Sequence, residues 1–338
     1  MKKQLLFWVL ALALSSCSTP KKSLNLDVIF SGHFEYKMIS SGSNFPDFYA
    51  KKDSLDLFLV SLHEQIPVKE FQKRVGWADT TLSNHIAFLE SKNWLAQDEG
   101  LKPTIFIASD SQGKSFFSYG TPIALEITQA IEEELYAVKK AYSSTALSAS
   151  QPFDELAFFI LSDVLLDNWQ INNVEREFLM ADQRPERHGN HYYYAIMENA
   201  THPKEEFGIY GIQYRSINDS TSLAIYGNNR NEASKRLKAE PEFKASLLQT
   251  APRLSPADNK ILESIANNFK PELIRILAKN SDYMHAVFEK TGYAKEISFE
   301  EFFIWWYHFI YTDVTNMLAD RALLEIPEDG NFYYIVVQ

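Results

Sequence analysis

Apolar residues at helical spacing first appear after residue 50. One predicted helix face consists of four residues that lie three or four positions apart, Leu55, Phe58, Leu59 and Leu62. A second short helix is expected between Pro67 and Gly76, because proline suits a first turn and glycine a C-terminus. A third helix is expected to begin near Asp79, followed by a hairpin of strands near Trp94 and at 104–108. This stretch therefore predicts three short helices and a hairpin.

The middle of the chain mixes strand and helix patterns. Residues 24–30 alternate loosely between apolar and polar and predict a lead-in strand. Residues 111–113 predict a turn before a long helix over 123–142. An antiparallel meander is predicted by three runs with short polar connections, 191–197, 207–214 and 222–226. The glycines expected to mark its bulges or close approaches are Gly208, Gly211 and Gly227.

The C-terminal part of the chain returns to helical patterns. Ser298 and Glu301 fit a capping box at the start of the strongest predicted helix, 299–321. Residues 302–311 are apolar nearly all round, so we expect this helix to be central to its domain. These ten residues are too few to cross a bilayer. A strand over 332–337 is expected to close the chain.

The order of three short helices and a hairpin resembles a winged helix-turn-helix, and residues 66–95 carry the match. The resemblance implies that the third helix is a recognition helix with four polar residues facing outward, Thr81, Ser83, Asn84 and His85. A groove-entering helix normally brings several cations for phosphates, whereas this stretch carries Asp79 and Glu90 against Lys92. We therefore favour a packing or protein-binding module over DNA binding.

The N-terminus has the three parts of a secretory signal. Lys2 and Lys3 are followed by ten apolar residues at 5–14 and by two serines. Residues 14–17, Leu-Ser-Ser-Cys, resemble the lipobox of bacterial lipoprotein precursors. The resemblance implies cleavage before Cys17, a diacylglycerol on its sulfur and usually an acylated amine, which together anchor the chain to a membrane. Cys17 is the only cysteine in 338 residues, so no disulfide forms within the chain.

The residues after Cys17 predict which membrane holds the anchored protein. In lipoproteins that this chain resembles, a serine such as Ser18 does not signal retention in the inner membrane. Lys21 and Lys22 stand where some surface-exported lipoproteins carry acids. We therefore expect an outer-membrane anchor that faces the periplasm, with the inner membrane and the cell surface as alternatives. The expected partners are membrane lipid, through Cys17, and an envelope protein.

Together these patterns predict an α+β fold with a winged-helix-like module, a central antiparallel sheet with helices, and a helical C-terminal region. The expected segments are a signal peptide at 1–16, a lipid tether with its lead-in strand at 17–50, the winged-helix-like module at 51–120, a central α/β region with the meander at 121–253, and the helical region at 254–338. The two globular halves can share one core.

Composition bears mainly on the choice of partner. The chain is 46% hydrophobic and 23% charged, a normal globular balance, and aromatic residues reach 14%. Its formal charge is −11, and an acidic surface repels phosphate backbones unless it carries a local basic patch. The sequence has no long basic cluster, so we expect no nucleic-acid partner.

The densest polar cluster lies at 184–191. Arg187, His188 and Gly189 resemble the signature of histidine phosphatases, which implies a histidine nucleophile beside arginines that hold phosphate. The match departs from that family because no buried strand precedes it and no second histidine motif follows. The alternatives are a small anion site formed by Arg184, Arg187 and His188, and a polar loop tied by Arg–Glu pairs, which we favour.

Other candidate groups have ordinary structural explanations. Three histidines lack the fixed set of ligands that zinc requires, His188, His191 and His202. Residues 305–308, Trp-Trp-Tyr-His, are more typical of a helix core than of a cofactor or carbohydrate site. Asp163 and Asp167 lie one helical turn apart, where they could pair as acid and base, although a solvated face is the usual interpretation. We assign no catalytic residue, no metal and no cofactor.

Three classes of function remain. We favour a non-enzymatic lipoprotein that binds or scaffolds a component of the cell envelope, because the chain has an anchor and no catalytic signature. The second class is a hydrolase of phosphate esters that acts through Arg187 and His188, and burial of either side chain counts against it. The third is a winged-helix regulator that binds DNA, if the signal interpretation is wrong.

Overall fold

The computed structural model of the chain describes residues 25–98, 100–199 and 208–337, and Cys17 lies outside them. Within these ranges the fold is α+β, with twelve α-helices and eleven strands. The helices are α1 (Leu26–Ser31), α2 (Leu55–His63), α3 (Val68–Val75), α4 (Asp79–Ser91), α5 (Asp110–Tyr142), α6 (Phe153–Phe158), α7 (Ile171–Asn173), α8 (Arg230–Ala239), α9 (Pro241–Thr250), α10 (Pro256–Lys279), α11 (Ser281–Thr291) and α12 (Phe299–Asp320). Two π-helical segments adjoin them, Phe159–Val164 and Val174–Phe178.

The strands form two sheets and two short hairpins. The strands are β1 (Phe34–Ile39), β2 (Leu95–Gln97), β3 (Leu101–Pro103), β4 (Phe106–Ala108), β5 (Glu186–Arg187), β6 (Asn190–His191), β7 (Tyr193–Glu198), β8 (Ile212–Asn218), β9 (Thr221–Gly227), β10 (Arg253–Leu254) and β11 (Asn331–Val337). The first sheet has the order β1-β7-β4, and the second has the order β10-β11-β9-β8. The hairpins are β2–β3 and β5–β6.

The first sheet lies between two hydrophobic cores. Its central strand β7 runs antiparallel to β1 and parallel to β4. Successive side chains of a strand point to opposite faces, and β7 is buried on both. Tyr193, Ala195 and Met197 join the large core around α5 and α12, whereas Ile196 joins the core of the N-terminal helices. Burial on both sides explains why the strand carries almost no polar alternation.

The N-terminal helices bury the face that their spacing predicts. Leu55, Phe58, Leu59 and Leu62 of α2 are all buried, and Phe71 of α3 and Leu89 of α4 share their core. The predicted pairing of 104–108 as the return strand of the hairpin was wrong. Residues 101–103 pair with β2 instead, and β4 pairs with β7 in the first sheet. The reason is that Phe106 and Ile107 face different cores, as in an inner strand.

The predicted strand at 24–30 and the predicted turn at 111–113 were both wrong. In each place a capped helix begins instead. Where a strand was predicted over 24–30, α1 begins behind Asn25, whose side chain accepts a hydrogen bond from the backbone N–H of Val28 at 2.9 Å. Residues 111–113 lie inside α5 rather than in a turn. Ser109 and Gln112 form a capping box, which fixes the helix start ahead of these polar residues.

The predicted meander was wrong in its first strand. β8 and β9 form an antiparallel hairpin, but β7 belongs to the first sheet. The second sheet is completed by β11, which runs antiparallel to β9, and by β10, which runs parallel to β11. Each sheet therefore contains one parallel pair and neither is purely antiparallel. The physical reason is that β7 needs cover on both faces, whereas β8 is largely exposed.

Close approaches predicted at two of the glycines are confirmed. Gly211 and Gly227 exchange backbone hydrogen bonds of 3.2 and 3.0 Å. A Cβ at Gly211 would lie 3.1 Å from the Arg230 guanidinium, and one at Gly227 would collide with the carbonyl oxygen of Gly330. A larger residue at Gly227 would push β9 away from the start of β11, whereas one at Gly211 would displace the Arg230 side chain.

Helix α12 lies at the centre of the large core, as predicted. It is buried from Glu301 through Thr312. Trp306 donates from Nε1 to the carbonyl oxygen of Phe116 on α5 at 2.9 Å. Gly120 lets the two helices approach closely, since a Cβ there would lie 3.0 Å from Ile310. In the part of the chain that the structure describes, no helix combines the length and hydropathy needed to span a bilayer.

Candidate functional site

Arg187, predicted as an anion ligand, is buried and already paired. It is 3% exposed, and its Nη2 lies 2.6 Å from the Glu301 carboxylate. The guanidinium also donates to the carbonyl oxygens of Asn93, of Thr104 at 2.8 Å and of Tyr192 at 3.3 Å. Because these contacts use the donors of the guanidinium, Arg187 ties four segments of the chain together. Its burial counts against the hydrolase.

Arg184 and His188 do not converge with Arg187 on one point. Arg184 donates from Nε to Glu175 at 2.7 Å. His188 is exposed, and its Nε2 lies 3.8 Å from a carboxylate oxygen of Asp47. Each of the three side chains therefore faces a different carboxylate. Anion binding by them stays a prediction, and this geometry does not favour it.

Helix α12 holds the aromatic run at 305–308 within the core. Tyr307 donates to the carbonyl oxygen of Leu166 at 2.8 Å. His308 bonds through Nδ1 to the carbonyl oxygen of Ile304 at 2.7 Å, and burial lowers its pKa to about 3, so the ring is neutral. His202 lies outside the described residues. Across residues 25–98, 100–199 and 208–337, no three His, Cys, Asp or Glu side chains are grouped so that they could hold a metal.

The predicted solvated face of Asp163 and Asp167 was wrong. Asp163 is 0% exposed and Asp167 is 3% exposed. Helix α6 continues into the first π-helical segment, and every residue of 156–166 is buried. A helix surrounded on all sides leaves its polar residues no route to water. Both carboxyl groups must therefore find partners inside the protein.

Hydroxyl groups from three other elements surround these carboxyl groups. Asp163 accepts a hydrogen bond at Oδ2 from Tyr334 of β11 at 2.8 Å. The neighbouring Ser162 Oγ lies 2.5 Å from the Tyr226 hydroxyl and 2.6 Å from the Thr315 hydroxyl. We name the group the buried Asp–Tyr cluster, consisting of Ser162, Asp163, Asp167, Tyr226, Tyr311, Thr315 and Tyr334.

Burial raises the pKa of both carboxyl groups in this cluster. The pKa of Asp163 lies well above its ordinary value because of burial and because the charge of Asp167 is close. Burial raises the pKa of Asp167 to about 7, although Arg230 and the Tyr311 hydroxyl lower it. Asp163 Oδ1 and Asp167 Oδ2 are buried with no hydrogen-bond partner among the described residues. We infer that the pair holds a proton at neutral pH.

Two π-helical segments lie on either side of the residues that lead from this cluster to the surface. π-Helical turns are rare and are frequent at functional sites. The segment between them is fixed to α10, because Gln170 donates from Nε2 to the carbonyl oxygen of Ala266 at 2.7 Å. It also carries Asn168 and Trp169, which are partly exposed. The unusual backbone therefore places two polar or aromatic side chains beside the buried carboxyl groups.

A surface cleft of about 420 Å³ opens at this segment. The described residues that line it come from five parts of the fold, Asn168, Trp169, Tyr214, Ser222, Asn259 and Val336. Asn168 donates from Nδ2 to the Tyr214 hydroxyl at 2.6 Å. Two lining residues lie next to the buried cluster in the chain, because Asn168 follows Asp167 and Val336 stands two residues beyond Tyr334, which donates to Asp163. The cleft therefore lies close to the buried cluster.

Sequence patterns did not identify this cleft. Its residues are far apart in the chain, and each of their types is common on surfaces. A usable signal was the composition of 156–166, in which Ser162 and Asp163 are the only polar residues. A π-helical turn has no periodicity that distinguishes it from an α-helix over so few residues. The pairing of β9 with β11, which brings Ser222 beside Val336, also has no local signature.

Searches for similar proteins gave no match. No protein-family model matches the chain, and no curated protein or solved structure is similar to it.

Proposed function

We propose that this chain is a lipid-anchored protein of the bacterial cell envelope that binds a ligand or partner without catalysing a reaction. The observation that carries the proposal is the position of Cys17. The single cysteine of 338 residues stands directly behind a positive start, a ten-residue apolar run and two serines. Lipid on this cysteine and on its new amine would supply more than one acyl chain, which stable anchoring requires.

The cleft supports the binding part of the proposal. It is concave, and its volume of about 420 Å³ lies within the range of ligand pockets, about 300–1,000 Å³. Asn168 donates to Tyr214 at 2.6 Å and Ser222 pairs in register with Val336, so part of the site is held in place before a ligand arrives. The phosphatase-like alternative lacks a comparable site, because Arg187 is buried against Glu301.

The anchor is tested by intact mass of the membrane-extracted protein, with the wild type beside Cys17→Ala. We expect a lipid-modified N-terminus at Cys17 in the wild type, and release of the variant from the membrane. Ser18→Ala is the matched control and retains the lipid. An unmodified, soluble wild type that keeps Met1 would overturn the proposal and make DNA binding the leading hypothesis.

We further propose that the anchor lies in the outer membrane and faces the periplasm. Ser18, Lys21 and Lys22 support this location. Separation of inner and outer membranes by density, followed by protease treatment of intact cells, tests it. The protein is expected in the outer-membrane fraction and is expected to resist the protease. Cleavage on intact cells would place it on the surface instead.

We also propose that α2–α4 and the β2–β3 hairpin form a winged-helix-like module that packs or contacts protein rather than DNA. Lys92, the cation at the end of the third helix, is buried, and its Nζ lies 2.6 Å from Asp47. This pairing removes the positive charge that α4 would offer to a phosphate backbone. Fluorescence anisotropy with labelled duplex DNA at about 50 mM salt is expected to show no binding. Binding that weakens steeply with added salt would support the regulator instead.

A further inference from the structure

We propose that the cleft at Asn168 and Trp169 binds a neutral oligosaccharide, with the Trp169 ring as a stacking surface and the amide and hydroxyl groups around it as hydrogen-bonding partners. The inference rests on the proposed binding function but does not depend on the lipid anchor.

The chemistry of the lining favours sugar rings. Trp169 is partly exposed, and its ring packs edge-on against Phe159 at 6.1 Å, so its position is fixed. An aromatic ring offers a flat apolar surface for the C–H face of a pyranose. Asn259 and Asn168 each carry an amide that donates and accepts, which matches hydroxyl groups that do both. Ser222 adds a hydroxyl at the cleft wall.

The charge around the cleft argues for a neutral ligand. All the described residues that line it are uncharged. The chain carries a formal charge of −11, and the Asp163 and Asp167 carboxyl groups lie behind the cleft wall. Phosphates, sulfates and uronic acids would find no guanidinium or ammonium partner among the described lining residues. A hydroxyl-rich ring without charge satisfies the same lining.

Contacts between the lining residues hold the cleft in shape. Asn168 holds the Tyr214 hydroxyl at 2.6 Å, so both side chains are oriented before a ligand binds. Tyr214 and Ser222 stand on neighbouring strands of the second sheet, and Ser222 pairs in register with Val336. Preorganised side chains lose less entropy on binding, which matters for ligands as weakly held as sugars.

The test is saturation-transfer NMR and calorimetry on the detergent-extracted full chain, with chitotetraose, cellotetraose and maltotetraose as probes. The detergent must carry no sugar headgroup. At least one probe is expected to bind with a Kd below about 1 mM. Failure of all three, or tighter binding of the anionic tetragalacturonate, would overturn the inference.

Variants locate the binding to the cleft. Trp169→Ala and Asn259→Ala are each expected to weaken binding about tenfold or more, and Ser222→Tyr, which fills the cleft, is expected to abolish it. Tyr136→Ala is the matched control, because Tyr136 is 79% exposed on α5 and does not line the cleft. Thermal unfolding of each variant shows whether it is folded. Unchanged binding in folded Ser222→Tyr and Asn259→Ala would overturn the assignment of the site.

Failure of this inference is distinguishable from failure of the anchor. Full-length Cys17→Ala is expected to bind the same probe as the wild type. Lipid on Cys17 without sugar binding would overturn the ligand class and leave the anchor intact. Sugar binding by a wild-type chain that carries no lipid would overturn the anchor and leave the ligand class intact.

Discussion

The Arg187–Glu301 pair and the buried Asp–Tyr cluster both hold carboxyl groups out of water, but they stabilise them by different means. Glu301 faces a full positive charge at 2.6 Å. Asp163 faces a neutral hydroxyl, that of Tyr334, at 2.8 Å, and has a second acid nearby. Burial raises the pKa of Glu301 to about 7 although Arg187 lowers it, whereas the charge of Asp167 raises the pKa of Asp163 further.

This difference indicates a structural role for the Arg187–Glu301 pair and a candidate functional role for the Asp–Tyr cluster. Arg187 bonds to four segments of the chain with four of its five N–H donors, and its burial keeps the guanidinium from a ligand. The Asp–Tyr cluster retains carboxyl oxygens that have no hydrogen-bond partner among the described residues, and Asn168, which follows Asp167, lines an open cleft. Incomplete satisfaction of buried polar groups is expensive, and proteins keep it mainly where it has a function.

The largest expected effect comes from breaking the ion pair. Arg187→Met leaves Glu301 buried without a cation and removes donors from three carbonyl oxygens. Loss of one partner of a buried pair costs about 3–5 kcal/mol. Urea unfolding followed by circular dichroism at pH 8 measures the free energy of unfolding.

The double variant Arg187→Met, Glu301→Leu is the matched control. Replacing both charges with apolar groups is expected to recover much of the loss, because no uncompensated charge remains. The cost of Arg187→Met alone is also expected to shrink at pH 5, where Glu301 takes up a proton. A single variant within about 1 kcal/mol of the wild type at pH 8 would show that the pair contributes little.

The second largest effect is a gain in stability, which we expect when the charge of Asp167 is removed. The native pKa of Asp167 is about 7, above its ordinary value, so the folded state binds the proton more tightly and stability falls as pH rises through this range. A shift from about 3.9 to about 7 corresponds to on the order of 4 kcal/mol once both states are ionised. Asp167→Asn removes the buried charge and is expected to raise the free energy of unfolding at pH 8 by about 2–4 kcal/mol.

The pH dependence separates this cause from a general change in packing. The gain from Asp167→Asn is expected to decline toward pH 4, where the wild-type carboxyl is protonated in the folded state and about half protonated in the unfolded state. Asp182→Asn, at an exposed position, is the matched control and is expected to have little effect at either pH. An Asp167→Asn variant that is equally or less stable at pH 8 would contradict the assigned charge state.

The two carboxyl sites also show how far the sequence could predict the molecule. The face of α2 and the central position of α12 followed from apolar spacing, because one face or a whole helix is buried. The Ser298–Glu301 cap was only half right. Ser298 accepts from the backbone N–H of Glu301 at 3.2 Å, but the Glu301 side chain turns to Arg187, 114 residues away.

Long-range pairing explains the remaining errors. Asp163 was assigned to a solvated face because its local spacing resembles an amphipathic helix, and only the surrounding strands and α12 show that it is buried. Similarly, nothing within β7 shows that it joins β1 and β4 rather than β8. Predicting the cleft requires both the burial of Asp163 and the strand pairing, because the cleft lies where the segment after Asp163 meets the second sheet.

The third largest effect concerns the Tyr334 hydroxyl, which donates to Asp163 as Arg187 donates to Glu301. Tyr334→Phe removes the donor to Asp163 Oδ2 and leaves a buried oxygen without a partner. The expected loss is about 1–3 kcal/mol, measured by urea unfolding at pH 5. In an Asp163→Leu background the same change is expected to be nearly neutral, because the acceptor is gone. Equal losses in both backgrounds would show that Tyr334 acts through packing rather than through this bond.

The smallest expected effect is that of Tyr214→Phe, which tests whether Tyr214 belongs to the cleft or to the buried cluster. Tyr214 has the same side chain as Tyr334 and stands in the same sheet, but it is 46% exposed. Water can replace part of what its hydroxyl loses, so Tyr214→Phe is expected to cost less than about 1 kcal/mol. Urea unfolding of the two Tyr→Phe variants side by side measures the contrast. A loss for Tyr214→Phe as large as that for Tyr334→Phe would place the Tyr214 hydroxyl inside the buried cluster, and the cleft wall would then be part of the core rather than a surface for ligand.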